Sequence, residues 1–154
     1  MSDARPSLTL VRRIKAPPAR VYAAWIDPAQ IARWWGPEAT TVISAEADPR
    51  PGGRYRVVFR SRDGERHDCR GSYHEVEQDR RLVFTWSWVS TPERQSLVTV
   101  EIRAIEAGSE LTLTHAQFYD EAARDRHRGG WTGALEKLVA MLEREPVATE
   151  ETTR

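Results

Sequence analysis

Residues 120–143 read DEAARDRHRGGWTGALEKLVAMLE, and the fold is decided by how this stretch is covered. Ala123, His127, Trp131, Leu135, Leu138 and Leu142 recur every three or four residues, the spacing of one helical stripe. At about 1.5 Å per residue the helix is about 35 Å long. Gly129, Gly130 and Gly133 interrupt it. Each costs about 1 kcal/mol against alanine, so they mark either a kink or a close approach. A rod with a single apolar stripe needs an apolar surface to lie on.

The preceding residues supply that surface as strands. Tyr55, Val57 and Phe59 alternate with arginines in 54–60. Leu82, Phe84, Trp86 and Trp88 alternate with Val83, Thr85 and Ser87. Val98, Val100 and Ile102, and then Leu111, Leu113 and His115, repeat the same period of two. Residues 40–47 and 67–76 read as two further strands. Asp63-Gly64, Gln78-Asp79-Arg80, Thr91-Pro92-Glu93 and Ala107-Gly108 punctuate the series as turns. Upstream, Leu8, Leu10 and Ile14 form a first strand. Pro18 and Pro28 open two short helices, and Gly36-Pro37 closes the second. Short strands joined by tight turns form an antiparallel meander. The order predicts an α+β domain: a curved sheet of about six to seven strands, two short helices after the first, and a long C-terminal helix across one face. A wedge of space lined by aromatics is expected between helix and sheet.

Length and composition agree with one such domain. The chain has 154 residues, 40% hydrophobic and 30% charged, with 23 basic and 23 acidic side chains. That excludes wholesale disorder and gives no electrostatic reason for a nucleic-acid partner. One cysteine excludes a disulfide framework. No apolar run suits a secretory signal or a membrane span, so a cytoplasmic protein is expected. Residues 1–7 and 144–154 read as flexible ends around a domain at 8–143. All basic residues but Lys15 and Lys137 are arginine, which lowers the weight of any single arginine as a site residue.

Several segments stand out along the chain: Pro17-Pro18-Ala19-Arg20-Val21-Tyr22-Ala23-Ala24-Trp25, Arg33-Trp34-Trp35-Gly36-Pro37 and Pro51-Gly52-Gly53-Arg54-Tyr55. They continue with Gly71 and Tyr73-His74-Glu75-Val76, Arg81-Leu82-Val83-Phe84-Thr85-Trp86, Leu111-Thr112-Leu113-Thr114-His115 and His127-Arg128-Gly129-Gly130-Trp131. In this order and spacing they together resemble the family of heat-shock-protein-90 ATPase activator homologues. This family lies within the helix-grip superfamily, also called START-like, SRPBCC or birch-pollen-allergen-like. The resemblance spans about Leu8 to Glu143. It implies a helix-grip fold and, across the superfamily, lipid or hormone binding, chaperone activation, or polyketide cyclase and aromatase activity.

The candidate ligand-binding residues are Trp35, Tyr55, Val57, Phe59, Phe84, Trp86, Trp88, His115, His127 and Trp131. The strand aromatics line an apolar pocket or fill an ordinary core. The Trp34-Trp35-Gly36-Pro37 segment is a lid at the pocket mouth or a structural plug. His115 and His127 reach the same space, as ligand or acid–base groups or as satisfied core histidines. His67 and Cys69 share a strand face, but a structural zinc site needs four ligands. Glu75 and Arg12 fall on inner-facing alternations, where a polar group is paired or contacts a ligand. No phosphate loop, nucleophile elbow or His-Glu-x-x-His is present, so no cofactor, metal or catalytic residue is expected. The expected partner is a small hydrophobic or amphipathic molecule. The alternatives are a chaperone partner bound on an outer surface and a cyclase- or hydratase-like enzyme using His115, His127 or Tyr55.

Overall fold

A computed structural model describes residues 5–144. The element order is β1 (Leu8–Ile14), α1 (Pro18–Ile26), α2 (Pro28–Trp34), β2 (Thr41–Ala47), β3 (Arg54–Arg60), β4 (Arg66–Glu77), β5 (Arg81–Trp88), β6 (Thr91–Ile105), β7 (Gly108–Ala116) and α3 (Glu121–Arg144). The expected N-terminal segment lies partly, and the expected tail almost wholly, outside the described residues; Arg144 still belongs to α3.

The seven strands form one antiparallel sheet in the order β1-β7-β6-β5-β4-β3-β2. The meander from β2 to β7 is therefore built of neighbours in sequence, and only β1 crosses over, carried by α1 and α2. Local chemistry starts each helix. Pro18 takes the first position of α1. Asp27 caps α2 by accepting the Ala29 N–H at 3.0 Å. Asp120 caps α3 by accepting the Ala123 N–H at 2.8 Å.

The stripe on α3 packs as its spacing implies: Trp131, Leu135, Leu138 and Leu142 are buried with the inner faces of the strands. Trp34 ties the short helices together by donating its indole N–H to Ala24 O at 2.9 Å, with the Trp25 ring 4.5 Å away. The helical glycines do not break α3. At Gly133 an added Cβ would stand 3.1 Å from Glu38 N, so this glycine admits the α2–β2 link close to the helix.

Two strand readings are corrected. Thr91-Pro92-Glu93 is not a turn but the start of β6, and Thr91 already pairs with Trp88. The pairing is irregular between Trp86 and Trp88, and Pro92 sits in that irregularity, where its missing N–H costs no ladder bond. Glu75 leaves the inner face because a bulge between Tyr73 and Glu75 shifts the alternation. It is exposed and accepts a bond from Arg81 Nε at 2.9 Å. Arg12 is half-buried, and its guanidinium donates to Val11 O at 2.9 Å.

Candidate functional site

The first half of α3 meets the sheet at the end formed by the β3–β4 and β5–β6 hairpins. The α2–β2 link and the β7–α3 link close the sides. Between them lies a cavity of about 710 Å³. On α3 it is bordered by Ala123, Arg126, His127, Gly130, Trp131 and Ala134, which recur at helical spacing on one face. The sheet contributes Phe59, Trp86 and Trp88, the α2–β2 link Trp35, and the β7–α3 link Phe118 and Tyr119. The aromatic walls are in mutual contact. Trp35 stacks on Trp86 at 5.3 Å and 19°, and Trp86 meets Trp88 edge-on at 5.6 Å. Gly130 leaves room: a Cβ there would meet nothing within 4 Å.

Six of the ten candidates border this space: Trp35, Phe59, Trp86, Trp88, His127 and Trp131. The other four lie elsewhere in the same layer. Tyr55 and Phe84 pack edge-on at 5.2 Å, and both rings also meet Tyr73. Val57 is fully buried. His115 is fully buried too, with its ring 5.2 Å from Trp86. The Tyr55 hydroxyl donates to Thr85 O at 2.5 Å, and burial pushes its pKa well above the usual phenol value.

The two histidines do converge, with rings 5.3 Å apart. Each receives an indole proton. Trp131 Nε1 donates to His115 Nδ1 at 2.9 Å, and Trp88 Nε1 donates to His127 Nε2 at 3.0 Å. An indole N–H only donates, so these ring nitrogens are acceptors and the protons sit on the opposite ones. His115 Nε2 therefore donates to Ser96 Oγ at 2.7 Å, and Ser96 passes its own proton to Trp86 O at 3.3 Å. His127 Nδ1 donates to Ala123 O at 2.7 Å. Burial, with the neighbouring His127, holds the His115 pKa well below the ordinary histidine value. Burial also lowers that of His127, against the opposing pull of the Ala123 carbonyl. Both imidazoles are neutral, and the acceptor nitrogen of each is engaged.

One side of the cavity is held by Lys137. Its ammonium donates to Trp35 O at 3.2 Å and Pro37 O at 3.1 Å, tethering the α2–β2 link to α3. Val89 and Tyr119 border the cavity and are large apolar side chains left exposed, at 46% and 59%. Arg66, Arg94 and Arg126 border it as well. Sequence reasoning missed Phe118, Tyr119, Gly130 and these arginines. The signal for Arg126 was available, because it lies three residues after Ala123 and four before Gly130 on the same helical face.

His67 and Cys69 share a face but not a task. His67 Nε2 lies 3.1 Å from Ser61 Oγ, and its ring packs on Phe59. Cys69 is fully buried, and burial pushes its thiol pKa up. Among the described residues no group of three or more His, Cys, Asp or Glu side chains is placed to hold a metal.

This architecture, a seven-stranded antiparallel sheet gripping one long C-terminal helix, has relatives. The profile of the family described as "Activator of Hsp90 ATPase homolog 1-like protein" matches residues 15–143. The chain belongs to this family. Among solved structures, an AHSA1 protein of Silicibacter pomeroyi is 30% identical with TM-score 0.82, covering 92% of this chain and 100% of that one. A Chromobacterium violaceum protein is 28% identical with TM-score 0.82, covering 89% and 97%. An AHSA1-like protein from Aeromonas hydrophila, 22% identical with TM-score 0.78 over 97% and 98%, shares the fold. No curated protein matches the chain. Among the described residues, no helix of this AHSA1-family domain is long and apolar enough to cross a membrane.

Proposed function

We propose that this AHSA1-family domain binds a small hydrophobic or amphipathic molecule in the cavity between the sheet and α3, in the cytoplasm. The observation that carries the reading is the cavity itself. Its volume of about 710 Å³ falls in the range typical of small-molecule sites. Trp35, Phe59, Trp86, Trp88, Phe118 and Trp131 give it an aromatic wall, and each Å² of apolar ligand surface they remove from water contributes roughly 25 cal/mol. Trp86 is packed between Trp35 and Trp88, and Trp88 and Trp131 are held by their bonds to His127 and His115, so little side-chain ordering remains to be paid on binding.

The enzyme reading is weaker. His115 and His127 would each have to release an indole donor before accepting a proton, and the Tyr55 hydroxyl is buried against Thr85 O. A chaperone-binding reading draws on the family description and on the exposed Val89 and Tyr119.

The test is a thermal-shift screen against apolar and amphipathic metabolites, repeated on Gly130→Leu, which fills the cavity from α3. A ligand at 100 times its Kd stabilises by about 2.7 kcal/mol. Cavity binding predicts hits that the variant loses. Hits retained by the variant, or stimulation of an Hsp90 ATPase that the variant leaves intact, place the function on an outer surface.

A further inference from the structure

The cavity is apolar in depth and charged at its border. Five charged side chains border it: Arg66, Arg94 and Arg126, with Glu65 and Asp68. The two signs are not equally free. Asp68 is already committed on both oxygens. Oδ1 accepts Arg56 Nε at 3.1 Å and Arg70 Nε at 3.3 Å, and Oδ2 accepts a terminal nitrogen of each at 2.8 and 3.3 Å. Those contacts lower the Asp68 pKa to about 2. Glu65 is then the one acidic group at the border without such partners.

The arginines are differently placed. Arg66 begins β4, Arg94 lies on β6 and Arg126 on α3, so three separate elements bring an arginine to the border of one cavity. Arg66 and Arg126 make no ion pair among the described residues. Arg94 approaches Glu93 only at 4.0 Å and stacks its guanidinium 3.9 Å above the Tyr119 ring. A stacked guanidinium keeps its edge N–H groups available for a planar anion. Inside, His127 is neutral, so no interior charge competes for the ligand.

We propose that the ligand is an amphipathic anion. Its flat apolar body lies among Trp35, Phe59, Trp86 and Trp88, and its carboxylate, sulfonate or phosphate group sits at Arg66, Arg94 and Arg126. This inference rests on the cavity being a ligand site, and it assigns the class of molecule that fits.

Two dyes that share a ring system separate the two claims. N-phenyl-1-naphthylamine is neutral, and 8-anilinonaphthalene-1-sulfonate carries one added sulfonate. Both fluoresce when held in an apolar site. Their affinities are measured for the native chain at 50 and 500 mM salt, and for an R66Q/R94Q/R126Q variant and R126Q alone. All three arginines are exposed, so the fold is expected to survive, and circular dichroism checks it. The salt titration needs no variant. The expected result is a loss of about tenfold in sulfonate-dye affinity in the triple variant and a clear loss at high salt, with the neutral dye within twofold throughout. If both dyes bind and neither salt nor the substitutions separates them, the anion assignment is overturned while the cavity reading stands. If neither dye binds the native chain, both are overturned.

Discussion

Trp131 donates its indole N–H to the Nδ1 of His115 over 2.9 Å, and this bond fixes what His115 is able to do. It places the imidazole proton on Nε2, commits that proton to Ser96, and leaves no lone pair for a substrate. Trp88 and His127 repeat the arrangement with the nitrogens exchanged. Two histidines that the sequence leaves open between ligand or acid–base groups and satisfied core residues are thus the hydrogen-bonded frame that orients two tryptophans of the cavity wall.

Trp131 is a costly wall residue to lose. It is 4% exposed and touches Trp25, Trp35 and Trp86. Trp131→Ala is expected to destabilise by about 3–5 kcal/mol in urea unfolding. Trp131→Phe keeps an aromatic ring but strands the buried Nδ1, at a cost of about 1–3 kcal/mol. A loss below 1 kcal/mol for the alanine variant would mean the ring is not part of the core.

The histidines set a pH dependence whose sign follows from their depressed pKa values. The folded chain keeps both neutral, while the unfolded chain binds protons as pH falls through about 6.5. Stability is therefore complete above that value and falls below it, by up to about 1.4 kcal/mol per pH unit for each histidine. The window closes on the acid side at the lower folded-state values. Urea midpoints at pH 7.5 and 5.5 measure this. Equal midpoints would show that the imidazoles protonate in place.

Gly130 and Gly133 form a matched pair on one helix. A Cβ at Gly130 meets open space, so Gly130→Ala should gain about 0.5–1 kcal/mol of helix propensity. A Cβ at Gly133 meets Glu38 N at 3.1 Å, so Gly133→Ala should gain less or lose. Thermal unfolding of the two variants side by side reads the difference. Equal gains would place the α2–β2 link farther from α3.

Lys137 is expected to act on the α2–β2 link and not on the core. Lys137→Met keeps the aliphatic stem and removes the bonds to Trp35 O and Pro37 O. A stability loss of about 1–2 kcal/mol is expected, with faster amide exchange concentrated in residues 36–40. Uniformly faster exchange across the sheet would instead make the ammonium a global fold determinant.

The fold was legible because its two periods are clean. The alternation from Tyr55 to Phe59 and from Leu82 to Trp88 names the inner face, and the stripe from Ala123 to Leu142 names the helix that covers it. Depth was not legible. Period two assigns Phe84 and Trp86 to the same face, yet one packs with Tyr55 and Tyr73 and the other borders the cavity. Which occurs depends on where α3 and the α2–β2 link leave the sheet, a long-range property that no local pattern encodes. The bulge that turns Glu75 outward has the same character: one extra residue reverses the alternation. Phe118 and Tyr119 were missed because they sit in a link with no period at all.

The most direct test of the binding cavity is the set of six tryptophan indole N–H resonances, followed by NMR while apolar and amphipathic molecules are titrated in. Trp35, Trp86, Trp88 and Trp131 border the cavity, whereas Trp25 on α1 and Trp34 on α2 are core residues that do not. Binding in the cavity predicts saturable shifts in the first four with the last two nearly still. Shifts confined to Trp25 and Trp34, or a broad panel that moves none of the six, would contradict it.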